Sequence, residues 1–61
     1  MAKGIKYCYV RPYKIFGEIL NEYFCEEAGR QIVMVYLDKP YNGMLTAEVD
    51  KADVLSLDVV N

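Results

Sequence analysis

Cations and tyrosines interleave near the start of the chain, as Lys6, Tyr7, Tyr9, Arg11, Tyr13 and Lys14. On an extended strand, side chains two residues apart share a face, so Tyr7, Tyr9, Arg11 and Tyr13 would line one side unless Pro12 breaks the register. Such a set can stack single-stranded bases and neutralise their phosphates. It can also anchor a protein interface, where Tyr and Arg carry much of the binding energy. The same tyrosines equally suit packing against the core or a sister subunit. A second cluster, Lys39-Pro40-Tyr41-Asn42-Gly43-Met44, sets Tyr41 and Met44 on a loop tip open to a partner. Hairpin geometry alone also accounts for its Pro, Asn and Gly.

Catalytic chemistry finds little to work with. There is no histidine, and so no general base that titrates near neutrality without a perturbed environment. Cys8 has only Lys6 near it as an activating neighbour, and it reads as a buried structural thiol. Glu26/Glu27 and Asp50/Asp53 are carboxylate pairs in turn-like sequence, without the ligand spacing of a calcium loop. Two cysteines and no histidine cannot supply the four ligands of a structural zinc. The four glycines are scattered singly, so no phosphate-cradling loop is present. The chain is expected to be no enzyme and to carry no metal or cofactor.

The elements that must position these residues belong to one small domain, because 61 residues suffice for one and not two. A domain this small buries only about 60% of its unfolded surface. With 54% hydrophobic residues and six tyrosines, part of the apolar surface is expected to cover a partner or another copy, making the protein a homo-oligomer. Charge is uneven. The first fourteen residues hold Lys3, Lys6, Arg11 and Lys14 and no acid, leaving three basic residues against nine acidic ones, a balance of −6. That disfavours binding to nucleic acid by charge alone. The opening Met-Ala-Lys-Gly leads into mixed polar sequence rather than an apolar signal core, and no apolar run approaches the ~18 residues of a membrane span. A cytoplasmic protein with reduced thiols is expected.

Residues 5–10 are rich in β-formers and read as a strand. Residues 31–37 are almost continuously apolar and read as a central strand. Asp38 to Gly43 is dense in turn residues. Residues 44–49 alternate, with Leu45, Ala47 and Val49 on one side. Residues 50–53 form a polar turn before a last strand over residues 54–59. Residues 12–28 are ambiguous. Ile15, Phe16, Ile19, Leu20, Tyr23 and Phe24 recur at helical spacing. Yet Arg11 and Lys14 at the start and Glu26 and Glu27 at the finish oppose a helix dipole, and Gly17 would cost about 1 kcal/mol inside a helix. The preferred reading is a hairpin of residues 18–24 with residues 31–37. The alternative is a helix over residues 12–28, giving β-α-β-β-β in an α+β domain.

With the hairpin, the order is strand, irregular loop, three-stranded meander, short turn and closing strand. Phe16-Gly17-Glu18-Ile19-Leu20 and Glu48-Val49-Asp50-Lys51-Ala52-Asp53-Val54-Leu55 then resemble the second strand and the ending of the SH3-like small barrels, including their KOW and Tudor-like branches. The resemblance implies an all-β, five-stranded barrel with a 3₁₀ turn before its last strand. The tryptophan of peptide-binding SH3 domains and the full glycine spacing of a KOW motif are absent, so it concerns shape alone. The expected function is a protein-interaction or regulatory module binding a protein partner through Tyr7, Tyr9, Arg11, Tyr13, Lys14, Tyr41 and Met44. The alternative is a nucleic-acid-binding barrel using the N-terminal strand.

Overall fold

The structure, a computed structural model, describes residues 6–57. Ile5, Asp58 and Val59, which the sequence places in the first and last strands, lie outside them. Five strands follow in chain order: β1 (Tyr7–Val10), β2 (Ile15–Cys25), β3 (Arg30–Tyr41), β4 (Met44–Asp50) and β5 (Val54–Leu57), with one 3₁₀ turn, η1 (Lys51–Asp53), before β5. All pair antiparallel in a single sheet of order β4-β3-β2-β1-β5. The fold is all-β.

The helix over residues 12–28 is overturned. β2 runs through most of that segment and pairs with β3 from Gly17↔Leu37 to Cys25↔Arg30. Its helical spacing arises from a bulge. Ile19 faces Val35 and Asn21 faces Met34, so Leu20 is an extra residue without a partner. One extra residue shifts the two-residue alternation by one phase. Ile15, Gly17 and Ile19 face inward before the bulge, whereas Glu22 lies opposite buried Val33 after it. Neither half of β2 therefore reads as one clean apolar face. The turn that closes the hairpin ends on Gly29, which has φ 68° and donates its N–H to Cys25 O at 2.7 Å.

Of two other boundaries, the end of β1 agrees with the sequence reading and the end of β3 does not. β1 stops at Val10, and Arg11 to Lys14 form a turn in which Lys14 N donates to Val10 O at 2.8 Å. Lys14 takes φ 59° there. β3 runs on to Tyr41, so the turn narrows to Asn42-Gly43, both at positive φ, as a two-residue hairpin turn of the primed type requires. Pro40 is tolerated because the β3–β4 register is irregular between Tyr36 and Tyr41 and the last β2 partner of β3 is Leu37.

Alternation builds the core. Cys8 and Val10 from β1, Ile15 from β2, Val33, Val35 and Leu37 from β3 and Val49 from β4 are all buried on one side. Burying each Val or Leu is worth roughly 1.5–3 kcal/mol. Tyr13, Ile19, Ala47 and Val54 pack around them. A single sheet can enclose this cluster because it curls. β4 and β5 lie at opposite margins, four inter-strand spacings or about 19 Å apart in a flat sheet, yet only η1 joins them. Its three residues span far less than that distance.

The closed barrel expected from the sequence is not formed. Among the described residues β4 and β5 share no ladder, and the sheet remains open along that seam. The connection explains this. Arg11 N donates to Asp53 O at 3.0 Å, and Arg11 Nη2 donates to Ala52 O at 2.6 Å. The chain leaving η1 is thereby held along β1. Asp50 ties the other end of η1 down. Its Oδ1 accepts from Ala52 N at 2.9 Å, and its Oδ2 meets Arg30 Nη1 at 2.9 Å.

Candidate functional site

The alternation that sends Cys8 and Val10 inward sends Tyr7 and Tyr9 to the outer face. Strand register then decides what stands beside them. Tyr9 lies between Phe16 of β2 and Leu55 of β5, and Tyr7 lies between Glu18 of β2 and Leu57 of β5. Glu18 continues to Tyr36 of β3 and Thr46 of β4. Two cross-strand rows result, Leu55–Tyr9–Phe16 and Leu57–Tyr7–Glu18–Tyr36–Thr46.

This face is apolar, aromatic and open. Phe16 is 51% exposed, Tyr36 46%, Tyr7 40% and Leu55 52%, so none of them is spent on the core. The Tyr9 and Phe16 rings meet at 4.8 Å between centroids and 56° between planes, a tilted contact that fixes both. A depression of about 330 Å³ lies among Tyr7, Phe16, Asp38 and Leu57. Asp38 lines it, and Glu18, one step along the row, shares a neighbouring groove with Lys6.

The residues singled out in the sequence fall into two separate groups, with Arg11 and Lys14 apart from both. Tyr7 and Tyr9 share the outer face. Tyr13 turns the other way, packs on the core and stacks on Tyr41, with centroids 4.1 Å apart and planes 7° from parallel. Tyr41 and Met44 join Tyr13 and Leu37 around a separate cavity of about 190 Å³ at the β3–β4 hairpin. Arg11 is held against η1, and Lys14 sits in the turn after β1. A strand carrying Tyr7, Tyr9, Arg11 and Tyr13 on one face does not exist, because the turn at Pro12 ends it. Sequence reasoning missed Phe16, Tyr36 and Leu55 as surface residues. The hairpin of residues 18–24 with 31–37 sets Glu18 opposite Leu37, whereas the bulge at Leu20 sets Glu18 opposite Tyr36, and Phe16 pairs with Tyr9 of β1, so this row was not legible from the hairpin alone.

Cys8 is fully buried and Cys25 half-buried, and both are free thiols. Burial, and then the Asp38 carboxylate, push the Cys8 thiol above its ordinary value. That is the opposite of what a nucleophilic cysteine needs. The Tyr23 phenol is also pushed up, by desolvation first and by Glu48 second. Among the described residues no three His, Cys, Asp or Glu side chains gather as a metal site, and no helix is long and apolar enough to cross a membrane. The arrangement can present aromatic surface and phenol hydrogen bonds to another macromolecule. Comparisons with protein-family models, curated proteins and solved structures return no match for this chain.

Proposed function

We propose that this chain is a non-enzymatic protein-interaction module, a small homo-oligomer built on an SH3-like curled sheet, whose outer face docks a protein partner. The observation that carries the reading is the cross-strand grouping of Tyr7, Tyr9, Phe16, Tyr36 and Leu55, held on rigid strands yet half-exposed. Exposed apolar side chains grouped in this way mark interaction sites, and Tyr is enriched among interface residues that matter. Strand order β4-β3-β2-β1-β5 and the 3₁₀ turn before β5 support the SH3-like part of the reading. Glu18 and Asp38 at the patch favour a partner that brings apolar and basic groups. They weigh against nucleic acid, whose phosphates would meet those carboxylates with Lys6 as the cation beside Glu18, while Arg11 and Lys14 stand off in the next turn.

The test is partner capture with the full chain as bait, followed by affinity measurement with each protein identified. Phe16→Ala and Tyr36→Ala should weaken binding by about 30-fold or more if they act as hot spots. Their melting temperatures should stay close to the parent's. Binding that ignores both substitutions, or that falls only when the fold does, would refute the assignment. Binding to single-stranded DNA or RNA that declines steeply with salt would instead favour the nucleic-acid reading.

A further inference from the structure

The margin of the sheet at β5 has features that an ordinary edge strand avoids. Val54-Leu55-Ser56-Leu57 contains no charge and no proline, and among the described residues it pairs only with β1. Edge strands in soluble proteins are normally guarded by lysine, proline or a bulge, because unpaired backbone groups recruit another strand.

The hydrogen-bond phase shows which groups point away from β1. Arg11 N donates to Asp53 O at 3.0 Å, so Arg11 and Asp53 form a bonded pair at the start of the β1–β5 ladder. In an antiparallel ladder bonded pairs alternate. With Tyr9 opposite Leu55 and Tyr7 opposite Leu57, Leu55 and Leu57 direct their backbone groups to β1. Val54 and Ser56 direct theirs to the open side. The Val54 N–H is taken by Lys51 O. Ser56 N–H, Ser56 C=O and Val54 C=O are left facing outward.

We infer that two copies of this chain pair antiparallel along β5, about a twofold axis at Ser56, to make one continuous sheet. A donor and an acceptor on the same residue are self-complementary across such an axis. Ser56 N–H of each copy bonds Ser56 C=O of the other, the isologous geometry of a closed dimer. This register keeps the two outer faces in phase. Leu55 then lies beside Leu57 of the partner subunit, and the apolar rows ending at Leu55 and Leu57 run on across the seam. Leu55, 52% exposed in one chain, gains an apolar neighbour beside it while its outer face stays open.

Charge selects this edge over the other. β4 carries Glu48 and ends at Asp50, so pairing β4 with its own copy would crowd carboxylates together. Asp50 is moreover committed to Ala52 N and Arg30. Among the described residues, β5 brings no charge to the seam. The inference rests on the interaction-module reading and supplies the contact by which copies associate.

Sedimentation equilibrium of the full chain over a wide concentration range tests it. The mass should rise with concentration from 7.0 kDa to twice that and no further. Ser56→Pro deletes the outward N–H without touching the β1 ladder. It should stay folded by circular dichroism and raise the dimer dissociation constant about tenfold or more. Should that variant unfold, Leu55→Lys decides, because it sets a lysine beside Leu57 of the partner subunit while leaving the core alone. In a mixed sample of isotope-labelled and unlabelled chains, an intermolecular Overhauser contact should join Leu55 to Leu57. Phe16→Ala and Tyr36→Ala should leave the dimer intact, so that loss of the docked protein and loss of the dimer are read separately. A mass fixed at one chain overturns the inference. So does growth beyond two chains, which would signal head-to-tail pairing of β5 with β4, or a dimer indifferent to the folded β5 variants.

Discussion

Gly17 stands where β2 is pinched between β1 and β3, opposite Cys8 on one side and Leu37 on the other. A methyl group added there would sit 2.5 Å from Val35 Cγ1, 2.7 Å from the backbone oxygen of Tyr36 and 3.3 Å from its carbonyl carbon. Carbon contacts are comfortable near 3.5–4.0 Å, so something must move by roughly 1 Å. Val35 is wholly buried and cannot swing into open space. The Tyr36 oxygen belongs to a strand flanked on both sides. Overpacking of this kind costs about 1–3 kcal/mol. Gly17 does not use positive φ, so alanine recovers about 0.4–1 kcal/mol by restricting the unfolded chain. Gly17→Ala should therefore lose about 1–2 kcal/mol, which for a domain of this size lowers the melting temperature by about 5–15 °C. Thermal melts followed by circular dichroism would measure it. Adding Val35→Ala removes the closest contact but leaves the clash with Tyr36, so the double variant should not regain parental stability. A Gly17→Ala protein that melts at or above the parent temperature would refute the close-approach argument.

Other outcomes follow from the same packing. Asp50→Ala should cost about 0.5–2 kcal/mol, since it removes the side-chain cap on Ala52 N; chemical denaturation would show it, and Asp50→Asn should retain most of the cap. Gly43→Ala keeps free space around the methyl but forces alanine to φ 78°, at about 1–2 kcal/mol; Gly43→Asn should lose less in the same melt. A maleimide reagent should label Cys25 in the native protein and Cys8 only as the protein unfolds, read by mass spectrometry. Because the folded Cys8 thiol is raised above 9.0, its stabilisation is whole below that pH and is lost as pH climbs from there through the folded value. The parent should lose melting temperature above pH ~9 more steeply than Cys8→Ala, and equal slopes would show that Cys8 is not the titrating group.

The strands were legible where local chemistry decides them. Val33, Val35 and Leu37 betrayed a central strand by a nearly unbroken apolar run, and Asn42-Gly43 marked the β3–β4 turn. The turn before β5 was also readable, from Asp50 and Asp53 around Lys51-Ala52. Residues 15–25 were harder, because the bulge at Leu20 changes phase in mid-strand and mimics a helical period. Tertiary contacts decided the rest. Arg11 bonds to Ala52 and Asp53, far along the chain, and no local rule shows that this bends the segment and sends Tyr13 to Tyr41 instead of beside Tyr9. The outer face needs strand order as well as strand identity. Phe16 and Leu55 become neighbours of Tyr9 only once β1 is known to lie between β2 and β5.

The placement of β1 between β2 and β5 also orders assembly. β2, β3 and β4 are joined by tight turns and can zip up locally, whereas Tyr7 meets Leu57 across about fifty intervening residues. That closure comes late, since its entropy cost falls due before any contact along β1 and β5 rewards it. An unfinished chain therefore has no completed outer rows, and surface able to recognise another molecule arises only as its two distant segments come together.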